Sequence, residues 1–189
     1  MAITLMLSHK VTNDELLELA ERNPGYQFER NVKGELVVTP TSGRSGHREI
    51  RLGAQLDRWA EQDGSGLAFG PTTGFVLPDG AFVQPDAAWL RRERWEALGP
   101  EAQDEILHLC PDVAFEIRAK TSRPADLREK MHAYLSNGAQ TAVLIDPYDR
   151  TVEVYRPGRE PEIHTDTMTI PLDPELPGFI LVLDPIFAT

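Results

Sequence analysis

Asp86, in FVQPDAAWL, and Glu116, in PDVAFEIR, are acidic residues set in or beside apolar runs, and Glu49 shares the helical stripe of Leu52 and Leu56. A carboxylate in such surroundings is costly unless something compensates its charge. Asp86 and Glu116 lie thirty residues apart, so they can meet only if their strands are neighbours in one sheet. Two converging carboxylates would supply the hard oxygen ligands that Mg2+ prefers, with positions left open for a phosphate oxygen and a water. The chemistry that follows is metal-assisted hydrolysis, in which the cation neutralises charge on the phosphate and a nearby lysine orients the water and stabilises developing negative charge. Taken singly, each residue has a plainer use. Asp86 after Pro85 suits a turn, Glu116 could pair with Arg118 or Lys120 on a solvated sheet face, and Glu49 suits the start of a helix. A carboxylate pair also serves glycosidases, but no aromatic sugar platform accompanies this one.

The elements that must position these residues follow from capping signals and periodicity. Thr12 with Glu15 three residues on forms a capping box, and Val11 with Leu16 a hydrophobic staple, so a helix is predicted over about Asn13–Arg22. YQFERNVKGELVVTP alternates on both sides of Lys33-Gly34 and reads as a β-hairpin, followed by PTSGRSG as a flexible loop. Leu52, Leu56 and Trp59 recur at helical spacing over about His47–Gln62. Two or three strands are predicted between Gly66 and Trp89, then one or two short helices in RRERWEAL and EAQDEILHL. In the strand around Glu116, Val113, Phe115 and Ile117 share one face while Ala114, Glu116 and Arg118 share the other. Pro124 is a favourable first helical residue, and the helix it opens should run to about Asn137, stopped by Gly138, with Leu127, Lys130, Met131 and Tyr134 on one side. QTAVLIDP and TVEVYRPG form a further hairpin, and PGFILVLDPIF closes the chain. This order argues for an α/β or α+β fold in which helices flank a central mixed sheet, with a βαβ crossover from Pro111 onward.

With 189 residues, 41% hydrophobic and 26% charged, the chain fits one domain spanning 1–189 with its own core. The single cysteine, Cys110, cannot staple the fold and reads as a small buried residue. No apolar run approaches a membrane span, and MAITLML lacks the basic start of a signal peptide, so a reducing cytoplasm is the expected location. The net charge of −11 disfavours a general polyanion-coating role. It leaves room for a local site where metal ions and a few basic side chains offset the repulsion.

The segments YQFERNVKGELVVTPTSGRSGH, QPDAAWL, PDVAFEIR, PADLREKMHAYLSNGAQTAVLIDP, VEVYRPG and LPGFILVL together carry a resemblance that covers nearly the whole chain. The chain resembles a bacterial family of restriction endonucleases, otherwise described as a domain of unknown function, within the PD-(D/E)XK nuclease superfamily. The resemblance implies a restriction-endonuclease-like fold and a Mg2+-dependent endonuclease acting on DNA, with Mn2+ as a substitute cation. It implies Asp86 and Glu116 as metal ligands, the main-chain carbonyl of Ile117 completing the site, and Glu49, at the helix position where related nucleases carry a further glutamate, as an additional metal residue. The superfamily's lysine normally stands two positions after the second carboxylate, where this chain has Arg118. An arginine stays protonated but can stabilise charge, which implies a phosphate clamp. Lys130 matches the lysine that the family carries on the following helix, and its implied role is the water-orienting base. Without that role its stem could simply snorkel over Leu127 and Tyr134. Cutting both strands of a duplex further implies a homodimer. The competing expectation is a catalytically degenerate relative that keeps the fold as an interaction or assembly module. Arg118 and the acidic surface favour that alternative; the three carboxylates oppose it.

Overall fold

The computed structural model describes residues 2–188. In chain order the elements are β1 (Ile3–Leu5), α1 (Asn13–Arg22), β2 (Tyr26–Arg30), β3 (Leu36–Pro40), α2 (Gly43–Asp63), β4 (Gly66–Phe69), β5 (Phe75–Val76), β6 (Phe82–Val83), β7 (Ala87–Arg91), α3 (Arg92–Glu96) and α4 (Gly99–Gln103). They continue with β8 (Val113–Ile117), α5 (Pro124–Ser136), β9 (Thr141–Asp146), β10 (Thr151–Tyr155), β11 (Glu162–Thr165), β12 (Thr169–Pro171), β13 (Ile180–Val182) and α6 (Asp184–Phe187).

A six-stranded mixed sheet, ordered β11-β10-β9-β8-β7-β4, forms the centre. Within it β8 and β9 are parallel, joined by α5, which is the βαβ unit that the sequence predicts. The strand alternation holds. Val113 and Phe115 pack on one face with Leu52, Leu56 and Ala60 of α2, and Ala114 packs on the other with Met131 and Tyr134 of α5. Fully burying one such large apolar side chain stabilises the fold by about 1.5–3 kcal/mol.

The expectation of one central sheet is incomplete. A second, antiparallel sheet, ordered β1-β3-β2-β6-β5, is built from the N-terminal hairpin and the strands before β7. Its core is a separate cluster of Val11, Leu16, Phe28, Leu36 and Phe82 beneath α1. The capping box at Thr12 forms as predicted, with Glu15 N–H donating to Thr12 Oγ1 at 3.2 Å and Thr12 N–H donating to a Glu15 carboxylate oxygen at 2.7 Å.

One boundary differs from expectation. The predicted loop PTSGRSG is partly helical, because Ser42 caps α2 by accepting the Ser45 N–H at 3.1 Å, and the helix therefore begins at Gly43 rather than near His47. The local cap outweighs the poor helix propensity of Gly43 and Gly46. At the other end Gly64, with φ of 75°, supplies the left-handed residue that terminates the helix. Among the described residues no helix is long and apolar enough to cross a membrane.

Candidate active site

The pairing of β7 with β8 decides where the acidic residues meet. Ala87 stands opposite Phe115 and Ala88 opposite Ala114 in antiparallel register. The ladder ends at Ala87, and Asp86, in the bend just ahead of β7, comes beside Glu116 at the neighbouring end of β8. The turn of chain at Asp86 is held directly, since the Ile117 N–H donates to Asp86 Oδ2 at 2.6 Å. Both residues lie on the α5 side of the mixed sheet, and both line a cavity of about 730 Å3 between the two sheets.

Helix α5 crosses this face and brings Lys130 and Tyr134, one turn apart, onto Glu116. Glu116 Oε1 lies 2.7 Å from Lys130 Nζ and accepts the Tyr134 hydroxyl at 2.8 Å. Lys130 Nζ also donates to both carboxylate oxygens of Glu29, at 2.8 and 3.0 Å. Glu29 comes from β2 of the second sheet and in addition accepts the Gln84 N–H at 2.5 Å. Lys130 therefore bridges the two sheets through a pair of carboxylates.

Burial governs the electrostatics. Glu116 is pushed up from 4.5 to about 7, chiefly by burial and further by the Glu29 charge, with Lys130 and the Tyr134 hydroxyl pulling the other way. Asp86 stands well above the ordinary aspartate range, first from burial, then from the Glu116 and Glu49 charges, with the Ile117 N–H and Lys130 opposing. Glu49 is half-buried at the cavity wall, and burial raises its carboxyl too. Lys130 moves upward: burial alone would lower it, but Glu116 and Glu29 together raise it further. Held in this way, the Lys130 ammonium is kept in its protonated form by the two carboxylates it touches.

Arg118 stands apart. It lies beyond the end of β8, outside the residues that line the cavity, and its guanidinium binds Asp146 Oδ2 at 2.8 Å, Asp149 Oδ2 at 3.4 Å and the Ser122 carbonyl at 3.3 Å. The Tyr148 ring lies 5.6 Å from it. The position two residues after Glu116 thus serves a polar knot between the β8 end and the β9–β10 turn, and the structure does not bring it to Asp86 and Glu116. The cavity's other basic residues divide by exposure. Arg30 is buried and engaged by Gly80 O, Val11 O and Asn13 Oδ1, whereas Lys33 and Arg123 are exposed at the rim, Lys33 paired with Glu129 at 2.7 Å and Arg123 with Asp126 at 3.8 Å.

Three predicted residues, Asp86, Glu116 and Lys130, are brought together, with Ile117 and Glu49 on the same cavity. Sequence reasoning missed Glu29 and did not assign Tyr134 to the site. Tyr134 had a signal in its spacing of four from Lys130 on one helix face. Glu29 had none, because its strand belongs to a sheet that the sequence did not resolve.

A family model described as "Putative restriction endonuclease", Uma2, matches residues 13–184. The chain belongs to the Uma2 family. Among solved structures, "a putative nuclease belonging to DUF820" from Anabaena variabilis ATCC 29413 has 22% identity and a TM-score of 0.75, covering 94% of this chain and 98% of that one. At that identity the likeness shows the fold, which is that of the Anabaena protein. No curated protein matches the chain. Uma2 membership supports a nuclease.

The donor set at Asp86 and Glu116 fits a hard divalent cation such as Mg2+, which binds through one or two carboxylates and retains other oxygen ligands. Among the described residues no group of three or more His, Cys, Asp and Glu side chains forms a ready-made metal cluster. The fit therefore rests on the carboxylate pair, with a main-chain carbonyl such as that of Ile117 as a further donor of the same hard-oxygen type.

Proposed function

We propose that this Uma2 chain is a Mg2+-dependent endonuclease that hydrolyses phosphodiester bonds of DNA. The single observation that carries the reading is the convergence of Asp86 and Glu116 on one cavity wall, with Lys130 in contact with Glu116. In this reading Asp86, Glu116 and the Ile117 carbonyl hold the cation, with Glu49 adding negative charge at the same wall. The cation supplies polarisation of the phosphate and a more acidic water, and Mn2+ can replace it. Lys130 donates from its protonated amine to the charge that develops on the phosphate oxygens, a contribution strongest in a preorganised, partly dry site. Lys33 and Arg123 at the rim offer the exposed cations that a polyanion meets first. The net charge of −11 keeps such binding weak and steeply salt-dependent. Cleavage of both strands calls for two sites, and the reading includes a C2 homodimer. Light scattering that finds only monomer at micromolar concentration, with and without DNA, would remove that part.

The test is plasmid nicking at low salt with Mg2+ or Mn2+, with EDTA and Glu116→Gln as controls. Metal-dependent nicking that Glu116→Gln abolishes is the expected result. Wild-type protein that cuts neither DNA nor RNA with either metal would leave the degenerate interaction module as the better reading. Arg118, at the superfamily's usual lysine position but bound to Asp146 and Asp149, is the observation that favours that second reading.

A further inference from the structure

Glu29 lines the same cavity as Asp86 and Glu116, and its carboxylate is taken up by donors from within the protein. Its carboxylate is largely buried, and it receives two donors from different parts of the chain: the Lys130 ammonium from α5 and the main-chain N–H of Gln84, two residues before Asp86. One side chain thus ties the ammonium to the segment that delivers one of the paired carboxylates. The second carboxylate, Glu116, meets the same ammonium at 2.7 Å.

From this geometry we infer that Glu29 is the positioning residue of the site, holding Lys130 at a fixed place relative to Asp86 and Glu116; the inference rests on the nuclease reading given above. Without Glu29 the lysine stem, four carbons long, would have Glu116 as its remaining carboxylate anchor, and it would lose that anchor's full attraction whenever a cation shares the Glu116 charge. Glu29 removes this dependence. It is bound to the protein by the Gln84 N–H, and it lies on the second sheet, so its grip on Lys130 does not change when Glu116 changes partner. The arrangement also explains why a lysine carried on α5 can serve a site whose usual lysine position is occupied by Arg118: a neighbouring sheet supplies the anchor that the strand itself does not.

The experiment combines steady-state nicking kinetics with 15N-lysine NMR of the Lys130 ammonium, in wild type, Glu29→Gln and Glu29→Asp. Gln keeps the length and an acceptor for the Gln84 N–H but removes the charge; Asp keeps the charge but withdraws it by one methylene. In wild type the Lys130 ammonium gives a sharp, slowly exchanging signal. Glu29→Gln loses that signal and lowers kcat by about 10²-fold with KM within about twofold, the scale expected when a group is misplaced by about an ångström. Glu29→Asp, which retains the charge, recovers part of both. An unchanged Lys130 signal in both variants overturns the inference, as does a wild-type signal already broadened by exchange. A rise in KM without loss of kcat also overturns it, because it would place Glu29 in substrate binding. If wild type lacks nuclease activity the nuclease reading fails by itself, and the ammonium signal still decides whether Glu29 holds Lys130. Should Glu29→Gln fail to fold, the Glu29→Asp comparison alone carries the test.

Discussion

Replacing Glu116 by glutamine should flatten the pH dependence of stability. Folding raises the Glu116 carboxyl from 4.5 to about 7, so between those values the native state binds a proton that the unfolded chain does not. The corresponding stability is fully present below about pH 4.5 and is lost as pH rises through about 7. The shift is worth about 3 kcal/mol in total, of which about 2–3 kcal/mol falls between about pH 5 and pH 8. Only 7% of the Glu116 side chain is exposed, so solvent screening removes little of this. Asp86 is raised as well, partly by the Glu116 charge, and so adds in the same direction. Glu116→Gln deletes the titration while leaving an amide oxygen to accept the Tyr134 hydroxyl. Urea unfolding at four pH values across this range, without divalent cations, should show wild type losing stability with rising pH and the variant losing about 2–3 kcal/mol less. Adding Mn2+ at the alkaline end should restore wild type selectively, because a bound cation replaces the proton as the compensating charge. Parallel curves for the two proteins, within about 0.5 kcal/mol, would refute the assignment of Glu116 as the buried titrating carboxylate.

Lys130→Ala should lower nicking by about 10²–10³-fold, the cost of deleting one preorganised charge donor, with circular dichroism unchanged; full activity in that variant would return Lys130 to a purely structural role. Arg118→Ala should cost about 1–3 kcal/mol of stability in urea unfolding, because Asp146 and Asp149 lose their shared donor, and should not act selectively on substrate affinity. Gly66→Ala should destabilise by about 1–3 kcal/mol in thermal melts, since a Cβ there would collide with the Leu90 carbonyl and the Trp89 ring.

What the sequence discloses here depends on how local the deciding interaction is. Helix α1 is legible to the residue because Thr12, Glu15, Val11 and Leu16 lie within six positions and settle its start among themselves. Lys130 is legible as facing inward because helical spacing sets it beside Met131 and Tyr134. The early start of α2 is hidden because Ser42 and two glycines pull in opposite directions, and only the cap energy decides. The partner of Asp86 is half legible: alternation gives its face, but only the pairing of β7 with β8 brings Glu116 beside it. Glu29 is illegible for a different reason. The pattern YQFER shows that Gln27 and Glu29 share a face, yet nothing in it shows that this face turns toward α5, since that depends on how one sheet leans on another. The burial of Cys110, by contrast, follows from its apolar neighbours, and burial pushes its thiol up to about 12, leaving it unreactive.

The ladder between β7 and β8 also separates the site from the length of chain that connects its two halves. The excursion from Arg92 to Asp112 packs α3 against β4 and β7, and it is tied back where the Asp112 carboxylate accepts the Arg91 N–H at 2.9 Å. Its tip at Asp104 and Glu105 is exposed. Extra residues grafted at that tip would leave the pairing of Ala87 with Phe115 untouched, whereas a single-residue slip in the ladder would turn one of the two carboxylates to the opposite face. The excursion is therefore a natural port for insertion, where a recognition module or a reporter can be spliced into the chain while the chemistry beneath it keeps its spacing.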